Sequence, residues 1–396
     1  MTQPAEIILK RGKEESLLRF HPWVFSGAIE SVVGEPNEGD LVRVYDSRHQ
    51  FIALGHCQVG AIAVRVLSFR DEVIEDSWWN SRLQQAYTLR QALGLGDSTE
   101  TTCYRLIHGE GDSLPGLVVD IYGTTAVMQA HSVGMYNSRE AIVRAIRALY
   151  GDRIRAIFDK SSGTLPHNAG IDAVDGYLYG TPSDEPVMEN GNRFHVNWER
   201  GQKTGFFIDQ RENRALVGRY AHGRRVLNTF SYTGGFSVYA LQGGATSVDS
   251  VDSSQRAVEL ARENVELNFG AQAPHRAIAS DTFEFLKGVD NGAYNLIILD
   301  PPAFAKHHKV LGNALKGYQR LNAQAMMKIA PGGILFTFSC SQAVTREHFR
   351  QAVFSAAVVA GRNVRILHQL TQPADHPINI FHPEGEYLKG LVLYVE

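Results

Sequence analysis

Four short motifs in the C-terminal half of the chain constrain its fold more than any other feature. They are Asn228-Thr-Phe-Ser-Tyr-Thr-Gly-Gly-Phe236, Val251-Asp252, Asp300-Pro-Pro-Ala-Phe304 and Thr337-Phe-Ser-Cys-Ser341. Each follows a short apolar run: Arg225-Val-Leu, Ala245-Thr-Ser-Val, Asn295-Leu-Ile-Ile-Leu and Gly333-Ile-Leu-Phe. Such runs read as buried strands. Helical spacing between them predicts helices around Val238, over 255–268 with Ser254 as cap, and over 282–287, 311–329 and 345–360. A further strand is expected at His275-Arg-Ala-Ile-Ala279. Strands alternating with helices specify a mostly parallel, doubly wound sheet. Ligands of such sheets sit beyond the carboxyl ends of the strands, so the four motifs converge on one crevice.

A chain of 396 residues is long for a single core. Residues 1–72 show short alternating segments (Leu41–Tyr45, Phe51–Leu54, Ala61–Leu67) between Gly, Asp and Asn turns, the pattern of a small β-barrel. Lys10-Arg-Gly-Lys13 and Arg19-Phe-His-Pro-Trp23 place basic and aromatic groups side by side there. That mixture suits phosphates and stacked bases, and it equally suits a solvated loop beside a core Trp. Residues 73–185 read as a central α/β domain: a helix from Trp78 to Leu93, a hairpin of 117–121 and 126–130 about Tyr122-Gly123, a helix over 138–150 and a strand over 156–159. The stretch 172–185, rich in Gly, Pro and Asp, marks a boundary, and 186–396 form the domain of the doubly wound sheet. No apolar run approaches the roughly 18 residues of a membrane span. The N-terminus lacks the basic and apolar regions of a signal peptide, so a cytoplasmic protein is expected. Three cysteines make no disulfide framework and none has metal-ligand spacing, so no metal is expected. A net charge of −3 argues against a non-specific nucleic-acid coat but not against a specific RNA enzyme.

The chemistry lies in the motifs. Thr233-Gly234-Gly235 lets the backbone approach a ligand closely at a helix N-terminus, where N–H donors meet a carboxylate or pyrophosphate; a plain structural turn reads the same way. Asp252, at the end of the next strand, is placed to accept from both ribose hydroxyls, with Asp249 as a near competitor. Asp281 stands where an adenine amino group needs an acceptor, and equally where the next helix needs an N-cap. The two prolines of Asp300-Pro-Pro-Ala-Phe304 cannot continue a central strand. The chain therefore turns out at the sheet edge, exposing Asp300 beside a bound base with Phe304 available to stack on it. Cys340 ends the following strand among Thr337, Ser339 and Ser341. It reads either as a small buried hydrophobe or as a thiolate nucleophile suited to the electrophilic C6 of a pyrimidine. Lys306-His-His-Lys309, Lys316 and Arg320, with Tyr318 between them, supply phosphate contacts or simply a solvated helix entry.

These residues carry a resemblance. The C-terminal half looks like a class I S-adenosylmethionine-dependent methyltransferase. The whole chain resembles the bacterial 23S ribosomal RNA cytosine-C5 methyltransferases of the large-subunit methyltransferase I type. The likeness runs through His21-Pro-Trp-Val-Phe-Ser-Gly27, Arg105-Leu-Ile-His-Gly-Glu-Gly-Asp-Ser-Leu-Pro-Gly116 and Gly201-Gln-Lys-Thr-Gly-Phe-Phe-Ile-Asp-Gln-Arg211. The motifs above continue it, and Ala374-Asp-His-Pro377 closes it. It implies an N-terminal PUA domain, a central α/β domain and a Rossmann-like catalytic domain. It also implies Cys340 as nucleophile, Asp300 on the base, and S-adenosylmethionine held by Lys203, Gln210, Phe230, Ser231, Thr233, Gly234, Gly235, Asp252, Asp281 and Asp300. Pro301, Pro302, Phe304, Lys306 and Lys309 would meet the RNA. Many RNA cytosine-C5 methyltransferases carry a second cysteine after the Asp-Pro-Pro corner; Ala303 stands there instead. Three other readings stay open: an amino-group methyltransferase on adenine or guanine, an RNA-binding ribosome-assembly factor, and a dehydrogenase. The oligomeric state is open as well, a homodimer included.

Overall fold

In the computed structural model, which describes residues 4–166, 170–305 and 310–396, the chain separates into two units. The first comprises Met1–Met188, Val196–Ile208 and Ala374–Gly385; the second comprises Glu189–His195, Asp209–Pro373 and Glu386–Glu396.

Among the described residues, the second unit is built on a sheet of seven strands: β1 (Arg225–Thr229), β2 (Ser247–Asp252), β3 (His275–Ala279), β4 (Tyr294–Leu299), β5 (Ile329–Ser339), β6 (Val364–Leu370) and β7 (Lys389–Val395). Their spatial order is β3-β2-β1-β4-β5-β7-β6. β1 to β5 run parallel, and β7 lies antiparallel between β5 and β6. Six α-helices accompany them among the described residues: α1 (Arg211–Tyr220), α2 (Gly235–Gln242), α3 (Gln255–Phe269), α4 (Thr282–Gly288), α5 (Leu311–Lys328) and α6 (Arg346–Ala360). Alternate strand residues enter opposite cores. Ile297, Leu299 and Leu335 pack into one cluster, while Leu296, Ile298, Ile334 and Phe336 pack into another. Side chains of period two with both faces apolar are what a doubly covered sheet requires.

The helices expected from spacing are present, with Ser254 and Thr345 accepting the N-terminal N–H groups of α3 and α6. β2 sits later than its apolar run predicted, because polar Asp249 and Ser250 are buried within it. Asp249 accepts a fork of hydrogen bonds from Arg276 (2.8 and 2.5 Å) and one from the Tyr294 hydroxyl (2.5 Å). Ser250 bonds to Ser237 and His275. Satisfied polar groups in a strand erase the pattern from which a strand is read.

The first unit holds two sheets. One has six strands in the order Trp23–Phe25, Ile62–Ser68, Phe51–Cys57, Leu41–Tyr45, Ala5–Leu9 and Ile29–Val33. The other has five, ordered Gly176–Gly180, Ala156–Asp159, Thr125–Ala130, Leu117–Tyr122 and Cys103–His108, with helices Asp76–Ala92 and Arg139–Tyr150. The expected hairpin is present, turning at Gly123 with φ 59°. The segment Ala374–Gly385 belongs here through Asp375, whose carboxylate accepts the Arg105 N–H at 3.0 Å and whose carbonyl accepts from Arg90 at 2.8 Å.

Candidate active site

Register places the strand ends of the second unit side by side. Thr229 pairs with Val251 and with Leu299, and Leu299 pairs with Thr337. The loops after β1, β2, β4 and β5 therefore leave one edge of the sheet together, as the motifs required.

The loop after β1 is tightly wound. Phe230 and Tyr232 take positive φ (54° and 45°), a conformation costing a non-glycine residue of order 1 kcal/mol or more. Gly234, at φ 74°, caps α2, and a Cβ there would lie 2.9 Å from Ala261. Only glycine fits. A Cβ at Gly235 would lie 2.9 Å from the Arg214 Cδ. Arg214 is itself held beneath the turn by a buried fork to Glu189 (2.8 and 2.6 Å), which also accepts from the Tyr239 hydroxyl. Sequence reading missed this pair, since neither residue lies in a motif.

The Ser231 hydroxyl and the Asn228 side-chain carbonyl are buried and have no hydrogen-bond partner among the described residues. Buried polar atoms of that kind cost about 1–3 kcal/mol unless something binds them. Beside them, Asp252 accepts from the N–H of Tyr232 (3.0 Å) and of Ser254 (2.9 Å), one on each oxygen. Each oxygen keeps a lone pair, and the residue is only partly buried. Asp249, the competing acid, is committed to Arg276 and Tyr294 as above. Asp281 caps α4, with Oδ1 accepting from Phe283 and Glu284 at 2.9 and 3.1 Å. Capping and adenine recognition are thus compatible, because its second oxygen is not used by the cap. The turn, Asp252 and Asp281 together suit an adenosine-bearing cofactor with a carboxylate end.

Gln210 is buried and accepts from Asn213 at 2.6 Å at the start of α1. Lys203 belongs to the first unit, where its ammonium lies 4.7 Å from the Phe207 ring centroid.

Beyond β4, Asp300 is partly buried, Pro301 is buried and Pro302 is exposed. Phe304 packs against Tyr318 (centroids 4.6 Å apart) and close to Gly317, so one of its faces is already covered. Tyr318 is not a surface residue between basic neighbours, as the sequence had it. It is wholly buried, bonding Ser341 at 3.0 Å and Ser339 at 2.9 Å. Helical spacing explains the difference: residue 318 falls on the inner face of α5, while Lys316 and Arg320 are exposed. Lys306 and Lys309 lie outside the described residues.

Cys340 follows β5, partly buried, between two buried serines. Strand pairing sets Lys389 of β7 opposite Ser339. The Lys389 side chain is 4% exposed and its ammonium donates to the Ser341 carbonyl at 2.7 Å. Burial brings its pKa down to about 8, partly offset by attraction to Cys340. By the same attraction, the ammonium favours the thiolate form of Cys340. Lys389 was also missed, because it lies far along the chain in a strand without a motif.

A parallel sheet with one antiparallel strand, a glycine turn, a ribose-type acid and an Asp-Pro-Pro corner define a methyltransferase of the class that uses S-adenosylmethionine. Comparison agrees. The S-adenosylmethionine-dependent methyltransferase family profile matches residues 104–378, and a PUA-like domain profile matches 7–69. The ribosomal RNA large subunit methyltransferase I of Tolumonas auensis is 42% identical over 394 residues, 98% of each chain. That of Klebsiella pneumoniae (strain 342) is 39% identical over 395 residues, again 98% of each. A solved methyltransferase complexed with SAH superimposes with TM-score 0.84 at 25% identity, covering 98% of this chain and 100% of that one. An S-adenosylmethionine-dependent methyltransferase structure from Streptococcus mutans gives 0.83 at the same identity and coverage. The chain belongs to the ribosomal RNA large subunit methyltransferase I family of S-adenosylmethionine-dependent methyltransferases.

Proposed function

We propose that this protein methylates C5 of a cytosine in 23S ribosomal RNA through a transient bond between Cys340 and C6 of the base. The observation that carries the reading is Cys340 at the end of β5, beside the Asp300 corner of β4 and backed by the buried Lys389 ammonium. Relatives named as ribosomal RNA large subunit methyltransferases support the substrate class.

In this reading the target cytosine leaves its stack, at a cost of a few kcal/mol unless the RNA is already open. Pro301, Pro302 and the uncovered side of Phe304 wall the base, and Asp300 accepts from its amino edge. The Cys340 thiolate, favoured by Lys389, forms the S–C6 bond, and the displaced π electrons make C5 nucleophilic. The Ser231–Gly235 turn, Asp252, Asp281 and Gln210 would hold S-adenosylmethionine, which would supply an electrophilic methyl group on a sulfonium. Loss of the C5 proton to a base or water then returns electrons to the ring, and the S–C6 bond breaks to restore the thiolate. Positioning the two reactants in one crevice removes much of the entropic barrier. Phosphate contacts come from Lys306, Lys309, Lys316 and Arg320. In the PUA-like domain, half-exposed Phe20 and Phe25 offer stacking surfaces, with Lys10 nearby in sequence.

The test is mass-spectrometric nucleoside analysis of 23S RNA from a strain lacking the protein, incubated with enzyme and labelled S-adenosylmethionine. The expected product is labelled 5-methylcytidine, lost with Cys340→Ala. Label on an adenine or guanine amino group that survives Cys340→Ala would overturn the reading.

A further inference from the structure

Outside the active site, the first unit contains one imidazole whose surroundings do not account for it. His382 is 3% exposed, and neither of its ring nitrogens has a hydrogen-bond partner among the described residues. A neutral imidazole carries one donor and one acceptor, so both stand unsatisfied.

The groups around it point to what is missing. His382 Nε2 lies 3.7 Å from one carboxylate oxygen of Glu384, and His21 Nε2 lies 3.7 Å from the other. The ligand atoms of the three residues all fall within 4.8 Å of one another. Direct hydrogen bonds would need shorter approaches. Ligands about 2.05 Å from a tetrahedral ion stand roughly 3.3 Å apart. Glu384 is half exposed, so its carboxylate is free to make the small closure required. Nδ1 of His21 lies 3.4 Å from the Trp23 carbonyl oxygen and 3.3 Å from the Trp23 backbone nitrogen; with Nδ1–H donating to the carbonyl, the Nε2 lone pair is turned toward the cluster. The rest of the shell is apolar or paired. The Trp23 ring stacks edge-on to His382 (4.3 Å), and its indole N–H donates to Glu110 at 2.8 Å. Arg65, the cation facing the cluster, is itself bound to Glu110 at 2.8 Å.

We infer that His21, His382 and Glu384 form a site for a divalent transition-metal ion of the zinc class, with water completing the coordination. Two neutral imidazoles and a carboxylate are a donor set suited to zinc and poorly suited to magnesium or calcium, which prefer oxygen cages. The ion satisfies His382 Nε2 and links His21, just before the strand Trp23–Phe25, to the segment Ala374–Gly385, two parts of one unit from opposite ends of the chain. It therefore acts as a staple. The expectation from cysteine spacing of no metal did not reach this site, because its ligands share no local spacing.

The test uses the full chain, stripped with EDTA and titrated with zinc against a chromophoric chelator, with bound metal counted by mass spectrometry after desalting. Wild type is expected to retain one equivalent and to gain in thermal midpoint on zinc addition. Glu384→Gln and His382→Phe should bind at least roughly tenfold more weakly, equivalent to about 1.4 kcal/mol, and lose the thermal gain. His368→Ala, a histidine already bonded to Tyr220, should bind zinc as wild type does. Because Glu384 is half exposed, its amide variant keeps the test valid if His382→Phe fails to fold. Zinc retention in Glu384→Gln equal to that of wild type, or no equivalent retained by wild type, would overturn the inference. Neither result depends on methyl transfer.

Discussion

Two buried polar clusters, one in each unit, differ in a way that separates scaffold from site. In the first unit Arg90 is fully buried, yet its guanidinium is fully engaged. It forms a fork to Asp112 and donates to the carbonyls of Arg105 (2.7 Å) and Asp375 (2.8 Å). Arg105 and Asp120 form a second buried fork (2.8 and 2.9 Å), and Asp120 also accepts from Thr204 at 2.6 Å. At the strand ends of the second unit the pattern reverses. Ser231, Asn228 and Thr337 have buried oxygens without partners among the described residues, and Phe230 and Tyr232 hold left-handed backbone. The first cluster is complete in itself; the second leaves these oxygens unsatisfied among the described residues. Satisfied networks hold a fold, while unsatisfied ones mark the place where something binds.

The largest effect expected from breaking this contrast is at Cys340. Cys340→Ala should lower methyl transfer by roughly 10³-fold or more, while the thermal midpoint stays close to wild type. Loss of activity with an unchanged unfolding curve assigns the thiol to chemistry; a parallel loss of stability would assign it to the core. Next comes the scaffold. Arg90→Met strands Asp112 as a buried unpaired charge and should cost about 3–5 kcal/mol in urea unfolding, with activity falling only as the folded fraction falls. A specific activity per folded molecule below wild type would break the distinction between the two clusters.

Asp252→Asn should weaken S-adenosylhomocysteine binding by roughly 10–100-fold in calorimetry, the value of a hydrogen bond to a charged acceptor. An unchanged affinity would leave Asp252 a loop-holding residue only. Lys389→Met should move the midpoint for iodoacetamide modification of Cys340 to higher pH, since the nearby ammonium that favours the thiolate is gone. The same lysine has a pH signature in stability. Its folded pKa of about 8 lies below the unfolded value near 10.4, so the unfolded chain binds more protons between them. Stability should therefore gain as pH rises through that window, and Lys389→Met should remove this gain. The smallest effect is at a cap: Thr345→Ala, which loses the acceptor for the His348 N–H, should cost about 1 kcal/mol in unfolding and leave activity unchanged.

Much of the catalytic unit was legible because its signals are local. Apolar runs at 226–227, 296–299 and 334–336 pack into the two cores, and the motif after each sits at its end. Asp252 was the acid that the sequence favoured, with Asp249 a near competitor, and the structure adds that the two, in one strand, differ in their partners. Tyr318 was misplaced for a related reason: its basic neighbours on either side are exposed, and only the burial of its helix face reveals it bound to Ser339 and Ser341. Lys389 and Glu189 had no signal at all. Their importance comes from what they touch across the unit, at Ser341 and Arg214.

By itself the sequence determined the strand-and-helix alternation, the resemblance to a methyltransferase family and the identity of the chemical groups at the strand ends. These depend on residues close together in the chain, where periodicity and turn chemistry act directly. Tertiary structure alone decided the rest: the order β3-β2-β1-β4-β5-β7-β6, the ammonium behind Cys340, the arginine beneath Gly235, and the meeting of His21 with His382 and Glu384. Those features join segments distant in the chain. Electrostatic partnership and burial depend on distance in space, which no spacing along the sequence encodes.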